Sequence, residues 1–231
     1  MERREDQEHT DSSPVRPTLR GYDPKVHVQA TKTSQKINDM AAISAQSRGR
    51  VMGDRFFFTV TTINFTTLYV FLVLDHGRRE VMHFAVTRHP YMNWVIQQLR
   101  ESMPFGRQPK YLFRDNDGIY GNGIRAFLDR CGIEEVRTAY RSPWQNPFVE
   151  RFIGTLRREM LDHVIVLSQS HLERLLREFI KEYYHVARPH QGLVGDTPII
   201  QTKPPESSGP SRLISIPILG GLHHRYVRVA A

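Results

Sequence analysis

The stretch Phe56–Thr87 reads FFFTVTTINFTTLYVFLVLDHGRREVMHFAVT. Within it, Leu68–Asp75 is a near-continuous apolar run. That is the pattern of a strand buried on both faces, because a half-exposed strand alternates. Aromatic and β-branched residues precede it over Phe56–Asn64, and Glu80–Thr87 follows the tight turn His76-Gly77-Arg78. Three strands joined by short connections predict an antiparallel meander.

Working outward, Pro90 opens a helical stretch carrying Trp94, Ile96, Gln97 and Leu99, and Pro104 ends it. Tyr111–Phe113 reads as a short strand, Ile119–Cys131 as a helix stopped by Gly132, and Glu135–Ala139 as another short strand. Strands separated by helical crossovers pair in parallel. The expected class is therefore α/β: a five-stranded mixed sheet, three antiparallel strands then two parallel, with helices on both faces. A long helix is predicted from Pro147 to about His163, with Asn146 as its cap. Ser170-x-x-Glu173 reads as a capping box for a last helix. There Leu172, Leu175, Leu176, Phe179, Ile180, Tyr183 and Tyr184 fall at helical spacing on one apolar face, expected to be core. The flanks differ. Residues 1–50, rich in charge, Ser and Thr, read as poorly structured, residues 51–200 as the core, and residues 201–231 as a tail containing Pro, Ser and Gly.

The chain carries 32 Lys and Arg against 24 Asp and Glu, a formal charge of +8, which suits an anionic partner such as nucleic acid. With Cys131 as the sole cysteine, an intramolecular disulfide and a thiolate zinc site are both excluded, as in a reducing cytoplasm. Met1–Pro17 holds no apolar stretch of the signal-sequence kind, and the run Leu68–Leu74 is too short to span a bilayer. No membrane partner is expected.

Two carboxylates are candidates for chemistry. Asp115 follows the strand Tyr111–Phe113 in YLFRDNDGIYG, where open α/β sheets collect ligands. Glu150 lies in the first turn of the helix opened by SPWQNPFVER. The 34 residues between them suffice for one α/β unit that brings the strand end and helix start together. Converging carboxylates suit Mg²⁺ or Mn²⁺, which take oxygen ligands. Taken singly, Asp115 and Asp117 are equally well read as turn residues, and Glu150 as an acid favoured by the helix dipole.

From Phe57 to Pro198 the chain resembles the integrase core of bacterial insertion-sequence transposases, in the superfamily that includes retroviral integrases. The resembling stretches are FFTVTTINFTTLYVFLVLDHGRREVMHF, YLFRDNDGIYG, SPWQNPFVERFIGTLRREMLDHVIVL and YYHVARPHQGLVGDTP. The resemblance implies an RNase H-like fold and DNA transposition, integration and recombination. It also implies a site of two Asp and one Glu holding Mg²⁺ or Mn²⁺, DNA partners (element ends and target), a homo-oligomer, and a place in the bacterial cytoplasm at the nucleoid. Asp115 and Glu150 match the second and third acids. The family's first strand usually begins Asp-Phe-Phe-Thr-Val. Here Phe57, Phe58, Thr59 and Val60 match, but Phe56 stands at the Asp position.

Asp54 is the best available replacement. In a regular strand it points the same way as position 56 but lies roughly 6–7 Å away. Three readings stay open: Asp54 reaches the metal through a bulge, Asp75 contributes instead, or the chain is a degenerate copy that binds DNA and has lost catalysis. Arg141, Trp144, Arg151, Arg157 and Arg158 are the expected DNA contacts, the arginines on phosphates and Trp144 on an unpaired base. His171, His185 and His190 are expected to be structural or surface groups, and the pair His223-His224 is not expected to bind metal. No helix-turn-helix is legible upstream, so the chain is expected either to be a partial product or to rely on a partner for recognition of the element ends.

Overall fold

The computed structural model describes residues 51–103, 108–114, 121–137, 147–201 and 211–230. The N-terminal segment 1–50 therefore lies outside the described residues. The meander is present as β1 (Val51–Thr61), β2 (Thr67–Asp75) and β3 (Glu80–Thr87). Helix α1 (Met92–Ser102), β4 (Tyr111–Arg114), α2 (Gly121–Arg130) and β5 (Glu134–Arg137) follow. Then come α3 (Pro147–Glu159) and α4 (Gln169–Glu178). The sheet order is β3-β2-β1-β4-β5, with β1–β2 and β2–β3 antiparallel and β1–β4 and β4–β5 parallel. This is the expected mixed sheet.

β2 is buried on both sides, as its unbroken apolar run requires. Leu68, Val70, Leu72 and Leu74 face one core, with Val149, Phe152 and Leu156 of α3 and Leu172, Leu175 and Leu176 of α4. Phe71 and Val73 face the other, with Val95 and Leu99 of α1 and Ile124 and Leu128 of α2. Helices thus cover both faces. At the end of α2, Gly132 takes φ 68°, a conformation that a Cβ disfavours. Its N–H bonds the Asp129 carbonyl and the Ile133 N–H bonds that of Leu128, closing the helix as a Schellman turn.

Four local expectations change. β1 begins at Val51 rather than Phe56, because its first residues gain partners on both sides, β2 and β4. The cap of α4 is Ser168 rather than Ser170: the Ser168 side chain accepts from the His171 N–H at 3.2 Å. Glu173 instead accepts from Gln169, whose Nε2 also reaches the Val86 carbonyl, tying the helix start to β3. The last helix does not stay α-helical. Phe179–Tyr184 is a π-helical turn, with the His185 N–H on the Ile180 carbonyl. Finally, part of the stretch read as a tail forms the hairpin β6 (Ser211–Ile218) and β7 (His223–Ala230). It docks through His223, whose ring stacks on Tyr183 at 3.8 Å and whose Nε2 bonds the Glu159 carbonyl at 2.7 Å. Among the described residues no helix is long and apolar enough to cross a membrane.

Candidate active site and its arginine-rich surroundings

Glu150 is half-buried in the first turn of α3. It lines a concavity of about 430 Å³ together with Phe57, Phe58 and Thr59 of β1 and with Ile153, Gly154 and Arg157 of its own helix. Helical spacing explains the set: 150, 153, 154 and 157 share one face. The structure therefore brings Glu150 against the segment of β1 that directly follows Phe56.

β4 runs parallel to β1, with Val51–Gly53 level with Tyr111–Phe113. It ends on Arg114, which is buried and ion-paired with Glu135 of β5. Asp115 is the next residue along the chain and lies outside the described residues, as do Arg141 and Trp144. Asp54 belongs to β1 and pairs with Val73 of β2. Between Arg55 and Phe58 the β1–β2 register slips by one residue. A slip of this kind marks a β-bulge, which interrupts the regular alternation of a strand. Asp75 is buried at the end of β2, and its carboxylate accepts the Gly77 N–H at 2.8 Å in the β2–β3 turn. Among the described residues no three metal-ligating side chains come together.

The three arginines of α3 part company. Arg157 shares the concavity of Glu150. Arg151 and Arg158, on the neighbouring face, line a second concavity of about 330 Å³ with Arg79 and Arg188. Sequence reasoning missed these last two. Their signal was the Arg78-Arg79 pair in the β2–β3 turn and the Arg-Pro-His run.

That run is held by its own network. Arg78 donates to the Thr197 and Pro198 carbonyls at 3.0 and 3.1 Å. The buried His185 accepts the Val81 N–H at 2.9 Å through Nε2, so it must be neutral. Burial, with the nearby His190 and Lys181, pushes its pKa down to about 4. His190 is buried too and bonds the Tyr184 carbonyl. These two histidines are structural, as expected. Arg188 forms a two-pronged pair with Glu159, both contacts at 2.8 Å. Burial alone would raise the Glu159 pKa, but the bonds and charge of Arg188 outweigh it and hold it below the usual value.

This arrangement has relatives. The integrase core domain family matches residues 131–198, from the end of α2 through the Arg-Pro-His run. The chain is 28% identical over 138 residues to a putative transposase InsD for insertion element IS2E of Escherichia coli (strain K12), covering 54% of this chain and 61% of that one. The chain is thus similar to insertion-sequence transposases over part of its length. Transposase InsD for insertion element IS2A/D/F/H/I/K of Escherichia coli is also 28% identical, over 54% of this chain and 44% of its own length. The chain spans about half the length of the curated relatives it matches.

Its fold is that of solved integrase and transposase cores. The catalytic domain of Mos1 mariner transposase superposes with a TM-score of 0.56 at 14% identity, covering 69% of this chain and 83% of that one. A chain of the simian T-cell lymphotropic virus intasome gives 0.52 at 14% identity, covering 77% and 66%. The RNase H-like reading of the fold stands on that likeness.

Proposed function

We propose that the chain cleaves and joins DNA phosphodiester bonds in transposition and recombination, using Mg²⁺ or Mn²⁺ held by Asp115 and Glu150. The observation that carries this is the concavity where Glu150 meets Phe57–Thr59, beside the strand pair β1–β4 whose end leads into Asp115. Carboxylates alone are hard oxygen donors, so the donor set fits such a cation in kind. In number it is one short at position 56, and Asp54 is the nearest carboxylate along β1. A cation held by Asp115 and Glu150 would supply activation of a water or 3′-hydroxyl and stabilisation of the leaving oxygen.

The chain's own residues bind and orient. Arg157, exposed in the same concavity as Glu150, draws a phosphodiester towards the carboxylates. Arg151 and Arg158, with Arg141 and Trp144 in the preceding loop, extend the contact along DNA. The chain works as a homo-oligomer on element ends and target DNA, in the bacterial cytoplasm at the nucleoid. Curated relatives named as transposases and a neighbour from an intasome support the DNA partners and the oligomer. Phe56 favours one second reading, a DNA-binding copy without catalysis.

Nicking of supercoiled plasmid in Mn²⁺ separates the two. Activity abolished by both Asp115→Asn and Glu150→Gln is the expected result. Nicking that survives both substitutions would refute the assignment, and a chain that binds plasmid but never nicks it would establish the second reading.

A further inference from the structure

The concavity beside Arg79 is not used by the chemistry above. It is built from three separate stretches: the β2–β3 turn with Arg79, one face of α3 with Phe148, Arg151 and Arg158, and the segment after the π-helical turn with Arg188, Gln191 and Gly192. Arg79 is fixed for a purpose other than an ion pair. Its guanidinium lies over the Phe148 ring, 3.9 Å from the centroid. It also runs against Gly192, where an added Cβ would stand 3.0 Å from Nη2. Its Nε is buried with no hydrogen-bond partner among the described residues. Its backbone takes φ 59°, which side-chain-bearing residues rarely adopt.

No carboxylate lines this concavity among the described residues. Arg188 is already paired with Glu159. Tyr184 contributes a neutral hydroxyl, its pKa pushed up to about 12 mainly by burial. Among the described residues, Arg79, Arg151 and Arg158 thus leave the concavity positive without a compensating carboxylate, and Arg151 already presses on Arg79 as a like charge. Arg79 is half-buried beside the exposed Arg151 and Arg158, and an anion in the concavity would offset both its partial desolvation and the like-charge repulsion.

We propose that this concavity is a phosphate-binding pocket that clamps one backbone phosphate of DNA, apart from the cleavage site. It rests on the reading of the chain as a DNA-acting integrase core. Guanidinium forks match phosphate oxygens in pairs, and the ring under Arg79 pre-orients one fork. Glu150 and Arg158 lie roughly 12 Å apart along α3 at 1.5 Å per residue. The pocket thus holds the same DNA a few nucleotides from the carboxylates and sets its path across α3.

The test is fluorescence anisotropy of a labelled DNA duplex against the full chain over a salt series. The variants are Arg79→Gln and Gln191→Glu. Gln191 is exposed, so its substitution sets a carboxylate at the pocket without disturbing the core. Arg79→Gln and Gln191→Glu should each weaken binding about tenfold, as for one lost charge-assisted bond. Each should also flatten the slope of log affinity on log salt by about 0.9, the value of one phosphate contact. Inorganic phosphate should compete for DNA with the unsubstituted chain and not with Gln191→Glu.

Full affinity and slope in Gln191→Glu, with DNA still bound, overturns the pocket alone. A chain that binds no DNA overturns the pocket and the functional reading together. Loss of binding in the pocket variants of a chain that never nicks leaves the pocket standing and removes only catalysis.

Discussion

His185 sits at 5% exposure behind β3, and its Nε2 accepts the Val81 N–H at 2.9 Å. A protonated ring has no lone pair for that bond. The folded-state pKa is lowered to about 4 from 6.5, so between those values the unfolded chain binds the proton that the folded chain refuses. Stability is therefore fully present above pH 6.5 and drains away as pH falls towards 4. With these two pKa values the loss at pH 4.5 is about 2.5 kcal/mol, approaching about 3 kcal/mol below pH 4. His190, also lowered chiefly by burial, adds to the loss in the same direction. Glu159 acts in another window: its lowered pKa keeps its contribution until pH falls below 4.5. Urea unfolding followed by tryptophan fluorescence at pH 7.5 and 4.5 reads the difference. His185→Gln, whose amide oxygen can accept the Val81 N–H, should lose most of the pH dependence and cost about 1 kcal/mol at pH 7.5. An unchanged urea midpoint between the two pH values, or a variant as acid-sensitive as the unsubstituted chain, would show that His185 does not set the acid limit.

Four further substitutions probe the scaffold. Phe152→Ala empties a fully buried position between α3 and the sheet and should cost about 3–5 kcal/mol, read from chemical denaturation. Ser168→Ala removes the cap of α4 and should cost about 1 kcal/mol, whereas Ser170→Ala should cost much less; equal effects would restore the other cap assignment. Arg188→Leu strands the Glu159 carboxylate. Because both side chains are a quarter exposed, the loss should be about 1–2 kcal/mol, seen as a lower Tm that high salt moves little.

The sheet was legible where a strand's burial is written in its own residues. The apolar run of β2 leaves no alternative to an interior position, and Gly132 marks the end of α2. The start of β1 was not legible, because Val51–Arg55 carries no apolar alternation and becomes a strand only by pairing with β2 and β4. The π-helical turn was hidden because Phe179, Ile180, Tyr183 and Tyr184 satisfy an α-helical stripe equally well. The hairpin β6–β7 was missed although Ile214, Ile216 and Ile218 alternate before Gly220-Gly221. Pro217 within the run argues against a strand unless it lies at an edge, as it does here. At the site, Glu150 was singled out by its motif, and the structure sets it in one concavity with Phe57–Thr59. The arginine pocket was not, since it joins the β2–β3 turn, α3 and the Arg-Pro-His run only in three dimensions.

The cleavage site itself is best probed by the Mn²⁺-dependent nicking rate of Phe56→Asp beside that of the unsubstituted chain. If Asp115, Glu150 and the first-strand position form one site, the substitution supplies the third carboxylate. Nicking should then appear or rise at least tenfold, and the added substitution Glu150→Gln should abolish it. A Phe56→Asp protein that stays folded and binds DNA, yet nicks no faster than the unsubstituted chain, would contradict the claim that these three positions form the cleavage site.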